Sequence, residues 1–370
     1  MKLFLIAGEA SGDLHGSNLI KALKQKNPAI ELAFWGGDLM EKESNIKPLK
    51  HYKELAFMGF IEVIKNLGKI FENFKICKQH ISEFKPDAIV LIDYPGFNLR
   101  IAKWAKSQNI KVYYYISPKV WAWKENRVHK IVKYVDTLFT IFPFETEFFK
   151  KYNYSVEYVG NPLIDAIQNH KKEQNKKLSF KFKNNLSEKP IIALLPGSRR
   201  QEVSTKLPVM LNSTKNLDEY QFIIAGAPSL ELEFYKPFIE NKDATILFGQ
   251  TYDILENAEA ALVTSGTATL ETALFRVPQV VCYIASPISY AIAKRLIKIK
   301  FISLVNLIFD KEVVRELIQH ECNPSLIREE LDKLRIGGAK RAEQLENYDK
   351  LIEMLGNGSA SEKVAEVICS

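Results

Sequence analysis

Six segments carry residue types whose chemistry goes beyond packing. The first is Gly8-Glu9-Ala10-Ser11-Gly12-Asp13, continued by His15 and Gly16. Its glycines let backbone approach a ligand, and a helix start beyond it offers N–H groups to an anion. It is not GxGxxG, so it is no dinucleotide fingerprint. Read as structure alone, it is a strand-to-helix turn with Ser11 or Asp13 as N-cap. The carboxylate of Glu9 in that turn favours a functional loop. The second segment, Leu91 to Asn98, ends an apolar run on Asp93. There an aspartate can take a proton from a substrate hydroxyl, and Gly96-Phe97-Asn98 can form the following turn without it.

The third segment, Ser117 to Lys124, interleaves Trp121 and Trp123 with lysines. This suits sugar stacking, an amphipathic ligand or a rigid packed loop. The fourth, Leu194 to Arg200, contains Gly197, Ser198 and Arg199. Free N–H groups at a helix start and a guanidinium together suit phosphate. The fifth, Val263 to Glu271, places Ser265, Gly266 and Thr267 in a second anion cradle. Glu271 lies in the first turns of the next helix, where it can reach ribose hydroxyls or merely favour the helix dipole. The sixth is a helical stripe that includes Phe60, Ile64, Leu67, Ile70, Phe71, Phe74, Cys77 and Ile81. Core packing is the ordinary reading of such a stripe. The interspersed Lys65, Lys69, Lys75 and Lys78 also suit a face lying on a membrane, as does the basic-apolar segment Ala291 to Phe301.

The elements that must position these residues repeat once. Apolar runs at Phe4–Ala7, Leu32–Trp35, Ala88–Asp93, Lys111–Ile116, Leu138–Ile141 and Val156–Val159 alternate with helical patterns, among them Leu14–Lys26 and Asn98–Gln108. After a lysine-rich linker the series restarts at Ile191–Leu195 and runs on to Gln279–Tyr283. Continuous rather than alternating apolar strands predict parallel sheets covered on both faces. The fold class is therefore α/β, with two Rossmann-like doubly wound domains facing across a cleft. Ligands bind such sheets outside the carboxyl ends of the strands. The expected organisation is domain 1–168, linker 169–189, domain 190–345, and C-terminal helices 346–370 packing back on the first domain or on a partner subunit.

A chain of 370 residues with 46% hydrophobic composition can fill two such cores. A net charge of +7 favours anionic partners such as phosphorylated ligands or acidic lipid. The lysines are dispersed and no nucleic-acid module is recognisable. Cys77, Cys282, Cys322 and Cys369 lie far apart with no zinc spacing, which fits a reducing cytoplasm and no metal. No signal peptide and no membrane-spanning run is evident, so a soluble or peripheral protein is expected.

Taken in order, GEASGD at 8–13, Ile92-Asp93-x-Pro95-x-Phe97-Asn98, SPKVWAWKENRVHKI at 117–131, LLPGSR at 194–199, SGTATLE at 265–271 and Ser303-Leu304-Val305-Asn306-Leu307 resemble the lipid-A-disaccharide synthase family. The likeness covers essentially the whole chain. Gly96 departs from it, since some members carry an acidic residue there, and the linker diverges. The resemblance implies a GT-B fold. It also implies an inverting hexosyl transfer from UDP-2,3-diacylglucosamine to 2,3-diacylglucosamine 1-phosphate, giving a β-1,6 disaccharide and UDP. Glu9, Asp93, Arg199 and Asn306 fall on positions needed for activity. It further implies a peripheral enzyme on the inner face of a Gram-negative inner membrane and a homodimer with exchanged C-terminal segments.

On this reading Asp93, Glu9 and His15 compete as the base. Gly197, Ser198, Arg199, Ser265, Gly266, Thr267 and Glu271 bind the donor. Ser11, Gly12, Trp121, Trp123, Phe60, Ile64, Leu67, Ile70 and Phe71 face acceptor or lipid. No cofactor and no metal are expected. Two other readings stand beside it: a non-hydrolysing UDP-N-acetylglucosamine epimerase and a non-catalytic nucleotide- or lipid-binding protein.

Overall fold

The structure, a computed structural model, describes residues 1–370 except 56–66, 123, 175–178, 241, 286–289, 291–299 and 357, and only the backbone of 67, 173 and 174. It comprises two compact units: Met1–Gln168 with Leu355–Ser370, and Asn169–Met354.

The first unit holds a seven-stranded sheet: Lys2–Ala7 (β1), Glu31–Gly36 (β2), Lys50–His51 (β3), Ala88–Ile92 (β4), Lys111–Tyr115 (β5), Thr137–Thr140 (β6) and Glu157–Tyr158 (β7). The order is β3-β2-β1-β4-β5-β6-β7, with every pairing parallel. Side chains alternate between its faces. Phe4, Ile6, Ile89 and Leu91 join one buried cluster, and Leu3, Leu5, Val90 and Ile92 the other. Both faces are covered, which is why these strands read as unbroken apolar runs.

The second unit holds Ile191–Leu195 (β8), Gln221–Gly226 (β9), Ala244–Phe248 (β10), Ala258–Thr264 (β11), Gln279–Tyr283 (β12) and Glu316–Ile318 (β13). They run parallel in the order β10-β9-β8-β11-β12-β13. Ile192 and Leu194 pack on one face, Ile191, Ala193 and Leu195 on the other. The edge strands β3 and β13 escaped the sequence reading, because two or three residues make no apolar run.

The boundaries depart from expectation at the linker and at residue 345. The helix Pro162–Gln174 runs through residue 169, and Phe180–Lys183 is helical, so the linker carries structure of its own. The helix Arg341–Leu355 spans the expected cut at 345, and it is tied to β12 through Gln344 Oε1, which accepts from Gln279 N at 2.6 Å. The helix Ala360–Cys369 packs on Ala10–Lys26 of the same chain. Asp165 fixes its start by accepting from Ser359 N (2.5 Å) and Ser361 N (3.2 Å).

The stripe ahead of Ala88 also divides. Phe60 and Ile64 lie outside the described residues, as do the side chain of Leu67 and residues 291–299. In the helix Leu67–Phe84, Phe74, Cys77 and Ile81 are buried and Ile70 packs against them. Phe71 alone of the stripe's described members is 64% exposed.

The helix Ala10–Lys26 starts four residues earlier than its apolar pattern suggested, with Glu9 as N-cap and no side-chain cap. Neither Ser11 nor Asp13 is the cap. Asp13 serves a different helix instead. Its buried carboxylate accepts from Gly37 N (2.7 Å), Leu39 N (3.0 Å) and Met40 N (3.1 Å), at the N-terminus of Asp38–Ser44. These are donors no intrahelical carbonyl can satisfy, and a carboxylate favours that end of the dipole. Asp13→Ala should destabilise the first unit by about 2–4 kcal/mol, since it leaves buried N–H groups unpaired. Urea unfolding measures this, and a loss under 1 kcal/mol would contradict the capping role.

Candidate active site at two topological switch points

In the first sheet the order reverses between β1 and β4, so the loops leaving these neighbours diverge and open a crevice. Glu9 follows β1 and Asp93 follows β4. Gly8 permits the approach of the two loops: a Cβ there would lie 2.3 Å from Cδ1 of Tyr94. Asp93 and Tyr94 are both left-handed, with φ of 43° and 48°. Two such residues in succession are strained, and strain persists only where surrounding bonds over-determine it. Here Asn98 Nδ2 (2.8 Å) and Tyr114 OH (2.6 Å) donate to Asp93 O, while Asp93 N donates to Tyr115 O at 3.0 Å.

Burial pushes the Asp93 carboxyl above the usual aspartate range, partly offset by the charge of Lys119 and by the Tyr94 N–H. A raised pKa makes a carboxylate a better proton acceptor, as a base requires. Tyr94 is raised too, by burial first and then by the charge of Glu9. His15 is 7% exposed, its Nδ1 is unpartnered, and burial lowers its pKa to about 4. Its burial disfavours the protonated imidazole, which makes it a weaker candidate base than Asp93. Gly12 is buried, with room for a Cβ only 3.2 Å from that of Ala7, and Ser11 is exposed.

Of the readings offered for the loop after β5, the packed one describes Trp121: its Nε1 donates to Glu145 Oε1 at 3.2 Å and its ring meets Phe144 edge-on at 5.0 Å. It anchors the loop. Trp123 lies outside the described residues. Glu145 is 1% exposed, and its Oε2 accepts from Ile141 N and Phe142 N, each at 3.0 Å. It therefore ties the loops after β5 and β6 together at the same sheet edge. Burial raises its pKa to about 7 against these three hydrogen bonds and the charge of Lys119. The sequence reading missed Glu145, although Pro143 at a helix start with Glu three positions after Phe142 is a capping signal.

In the second sheet the order reverses between β8 and β11. Gly197, Ser198 and Arg199 follow β8, and Ser265, Gly266 and Thr267 follow β11, so the structure brings both expected donor loops to one switch point. Gly197 has φ 119°, and a Cβ on it would meet Glu202 Oε2 at 2.5 Å. Glu202 organises the turn, accepting from Ser198 N (3.2 Å) and Arg199 Nη1 (3.3 Å). Gly266 has φ 142° at the start of Thr267–Leu274. Glu271 is half-buried, its Oε1 accepts from Tyr252 OH at 3.0 Å, and burial raises its pKa.

Asn306 was expected among the catalytic residues. It is fully buried, and all its hydrogen-bonding capacity is used. Its Oδ1 accepts from Val313 N (2.7 Å) and Val314 N (2.9 Å), and its Nδ2 donates to Val314 O and Glu316 Oε1, both at 2.8 Å. Glu316 in turn accepts from Ile302 N and Ser303 N, each at 2.9 Å, and Ser265 Oγ donates to Ile302 O. Asn306 thus reaches the β11 loop through its supports. One described group could hold a cation: His170 with Asp253 and Glu256, whose ligand atoms lie within 4.8 Å of one another. His170 Nε2 lies 3.2 Å from Asp253 Oδ1 and 3.7 Å from Glu256 Oε2.

Two doubly wound parallel units, each with chemistry-bearing loops at its switch point, define the class of GT-B-like nucleotide-sugar enzymes. Solved structures of that kind match along the chain. They include UDP-GlcNAc 2-epimerase of Neisseria meningitidis bound to UDP-GlcNAc (TM-score 0.70, 15% identity, 100% of both chains). Another is the glycotransferase of kitacinnamycin (TM-score 0.66, 10% identity, 99% of this chain and 98% of that one). At such identities the likeness concerns the fold alone. The family described as lipid-A-disaccharide synthetase matches residues 3–368. Lipid-A-disaccharide synthases are 35% identical in Trichlorobacter lovleyi (100% of this chain, 97% of the relative) and 36% identical in Coxiella burnetii (99% and 97%). The chain belongs to the lipid-A-disaccharide synthase family.

The Glu145 carboxyl generates a pH test. A carboxyl whose folded pKa is raised stabilises the fold most below its unfolded value, and that contribution is lost as pH rises through the folded value. For Glu145 the window runs from 4.5 to about 7. A shift of that size corresponds to about 3 kcal/mol. Denaturant unfolding across this window should show Glu145→Gln losing less stability than wild type as pH rises. Parallel profiles would show that Glu145 does not titrate there.

Proposed function

We propose that the chain joins the diacylglucosaminyl group of UDP-2,3-diacylglucosamine to 2,3-diacylglucosamine 1-phosphate, releasing UDP. The acceptor's 6-hydroxyl oxygen attacks the donor's anomeric carbon from the face opposite UDP, forming a β-1,6 bond. The bond from that carbon to the diphosphate oxygen breaks, and its electron pair leaves with UDP. Asp93 takes the hydroxyl proton, with Glu9 beside it to hold or reposition the acceptor. Arg199 and the N–H groups around Gly197 and Gly266 take up the charge growing on the diphosphate. Such fixed donors serve where other enzymes use a divalent cation, so we propose that no metal is required. The observation that carries this reading is the placement of a partly buried, strained aspartate at one switch point and an arginine-bearing anion cradle at another, in a chain of this family.

Turnover is tested by supplying both substrates and detecting the disaccharide by mass spectrometry in the presence of a chelator. Product at undiminished rate supports the reading. Epimerisation of UDP-N-acetylglucosamine without disaccharide would favour the isomerase instead. Asp93→Asn and Arg199→Ala should each lower turnover roughly a hundredfold or more while leaving the fold intact. Near-normal rates in either variant would remove that residue from the mechanism.

The substrate chemistry also points to the bilayer, since each acyl CH₂ withdrawn from lipid costs about 0.8 kcal/mol. No described helix is long and apolar enough to cross a membrane, which leaves peripheral contact as the reading we favour. Phe71, exposed among Lys69 and Lys75, is the described residue best suited to it. Phe71→Glu should reduce sedimentation with anionic vesicles while its unfolding midpoint stays unchanged. Ile70→Glu should unfold the first unit, because Ile70 packs on the core. Unaltered vesicle binding by Phe71→Glu would place the membrane contact elsewhere.

A further inference from the structure

Helix Arg200–Ser213 lays Val203, Leu207 and Met210 against the second sheet. Lys206 shares that face and is 2% exposed. An ammonium has three N–H donors and a large hydration energy, so burying one calls for acceptors or an opposing charge. Among the described residues one acceptor reaches it, Thr264 Oγ1 at 2.5 Å. Among the described residues Lys206 makes no ion pair. Thr264 is the last residue of β11, immediately before Ser265-Gly266, and the ammonium also stands 5.7 Å from the ring centre of Tyr283, the last residue of β12. The charge therefore sits at the carboxyl edge of the sheet, beside the donor loops. The groups acting on it are Glu202 and Arg199 from the turn after β8, and the thiols of Cys282 and Cys322. Burial lowers its pKa below that of an ordinary lysine, against the opposing pull of the Glu202 carboxylate.

We propose that Lys206 is a positioning residue for a nucleoside diphosphate: it fixes the Ser265-Gly266 turn through Thr264, and its buried charge holds the diphosphate above that turn. The inference rests on the functional reading given above and adds a residue and a ligand moiety to it. A fixed charge in a poorly solvated setting acts over a longer distance than one in water, so contact with the phosphates is not required. A bound diphosphate adds opposing charge to that of Glu202. As UDP leaves, the same charge favours the developing anion.

The test is calorimetric titration of the full chain with UDP and, separately, with uridine, which lacks the phosphates. Lys206→Met, which keeps the apolar stem, should weaken UDP by about ten- to a hundredfold and leave uridine unchanged. Lys206→Arg should recover most of the loss. A folded Lys206→Met that binds UDP within twofold of wild type, or that loses UDP and uridine equally, overturns the proposal. If Lys206→Met does not fold, the wild-type pH profile decides. The affinity ratio of UDP to uridine should fall as the lysine deprotonates on the alkaline side and should do so equally in Cys322→Ser. A flat ratio, or a dependence abolished by Cys322→Ser, overturns the proposal as well. Wild-type chain that binds uridine but not UDP overturns it too. Chain that binds neither overturns the functional reading, and this inference with it.

Discussion

A parallel strand leaves its sheet at the carboxyl end, and where the strand order reverses, neighbouring chains must depart in opposite directions. The gap this opens cannot be closed by regular hydrogen bonding, because the departing backbone has no neighbour to pair with. Each unit has one such gap, between β1 and β4 and between β8 and β11. Every residue to which a chemical role has been given lies on a loop beside one of them or is braced by a residue that does. The sheets are rigid and buried on both faces, so the irregular geometry is confined to these loops.

What keeps the loops in place is a set of polar groups committed mainly to backbone. Asn98 and Tyr114 hold the carbonyl of Asp93, Glu145 holds two N–H groups and an indole, Glu316 holds a turn in the second unit, and the partly exposed Glu202 holds another. Burying charge is costly, and the buried carboxylates of Glu145 and Glu316 are tolerated because they accept several hydrogen bonds each. Asp93 differs. Its carbonyl is held firmly while its partly buried carboxyl is raised in pKa, which suits a group whose task is to take a proton rather than to support structure.

Asn306 shows how a residue can matter to a reaction without touching it. Its amide is saturated inside the second unit, so any influence must pass through Glu316 and Ile302 to Ser265. Lys206 completes the same arrangement from below, with Thr264 as its link to that turn. The β11 loop is thereby braced from two sides by side chains that the solvent does not reach.

The sequence by itself determined the strands other than the short edges β3 and β13, the turns that follow them and the α/β class. Those features are written locally: an unbroken apolar run marks a strand buried on both faces, and glycine marks a backbone that must come close or turn left-handed. Glu9, Asp93, Arg199 and Gly266 were legible for that reason, since each stands directly after such a run. Strand order was not legible, and only strand order makes Glu9 and Asp93 neighbours. The tertiary structure alone decided that Asp13 caps a helix 24 residues away, that Trp121 is tied to Glu145, that Asn306 is saturated and that Lys206 meets Thr264. Each of these is a hydrogen bond between residues distant along the chain. Such pairs form because packing removes both partners from water at one point in space, and no local pattern of residue types records where that point is.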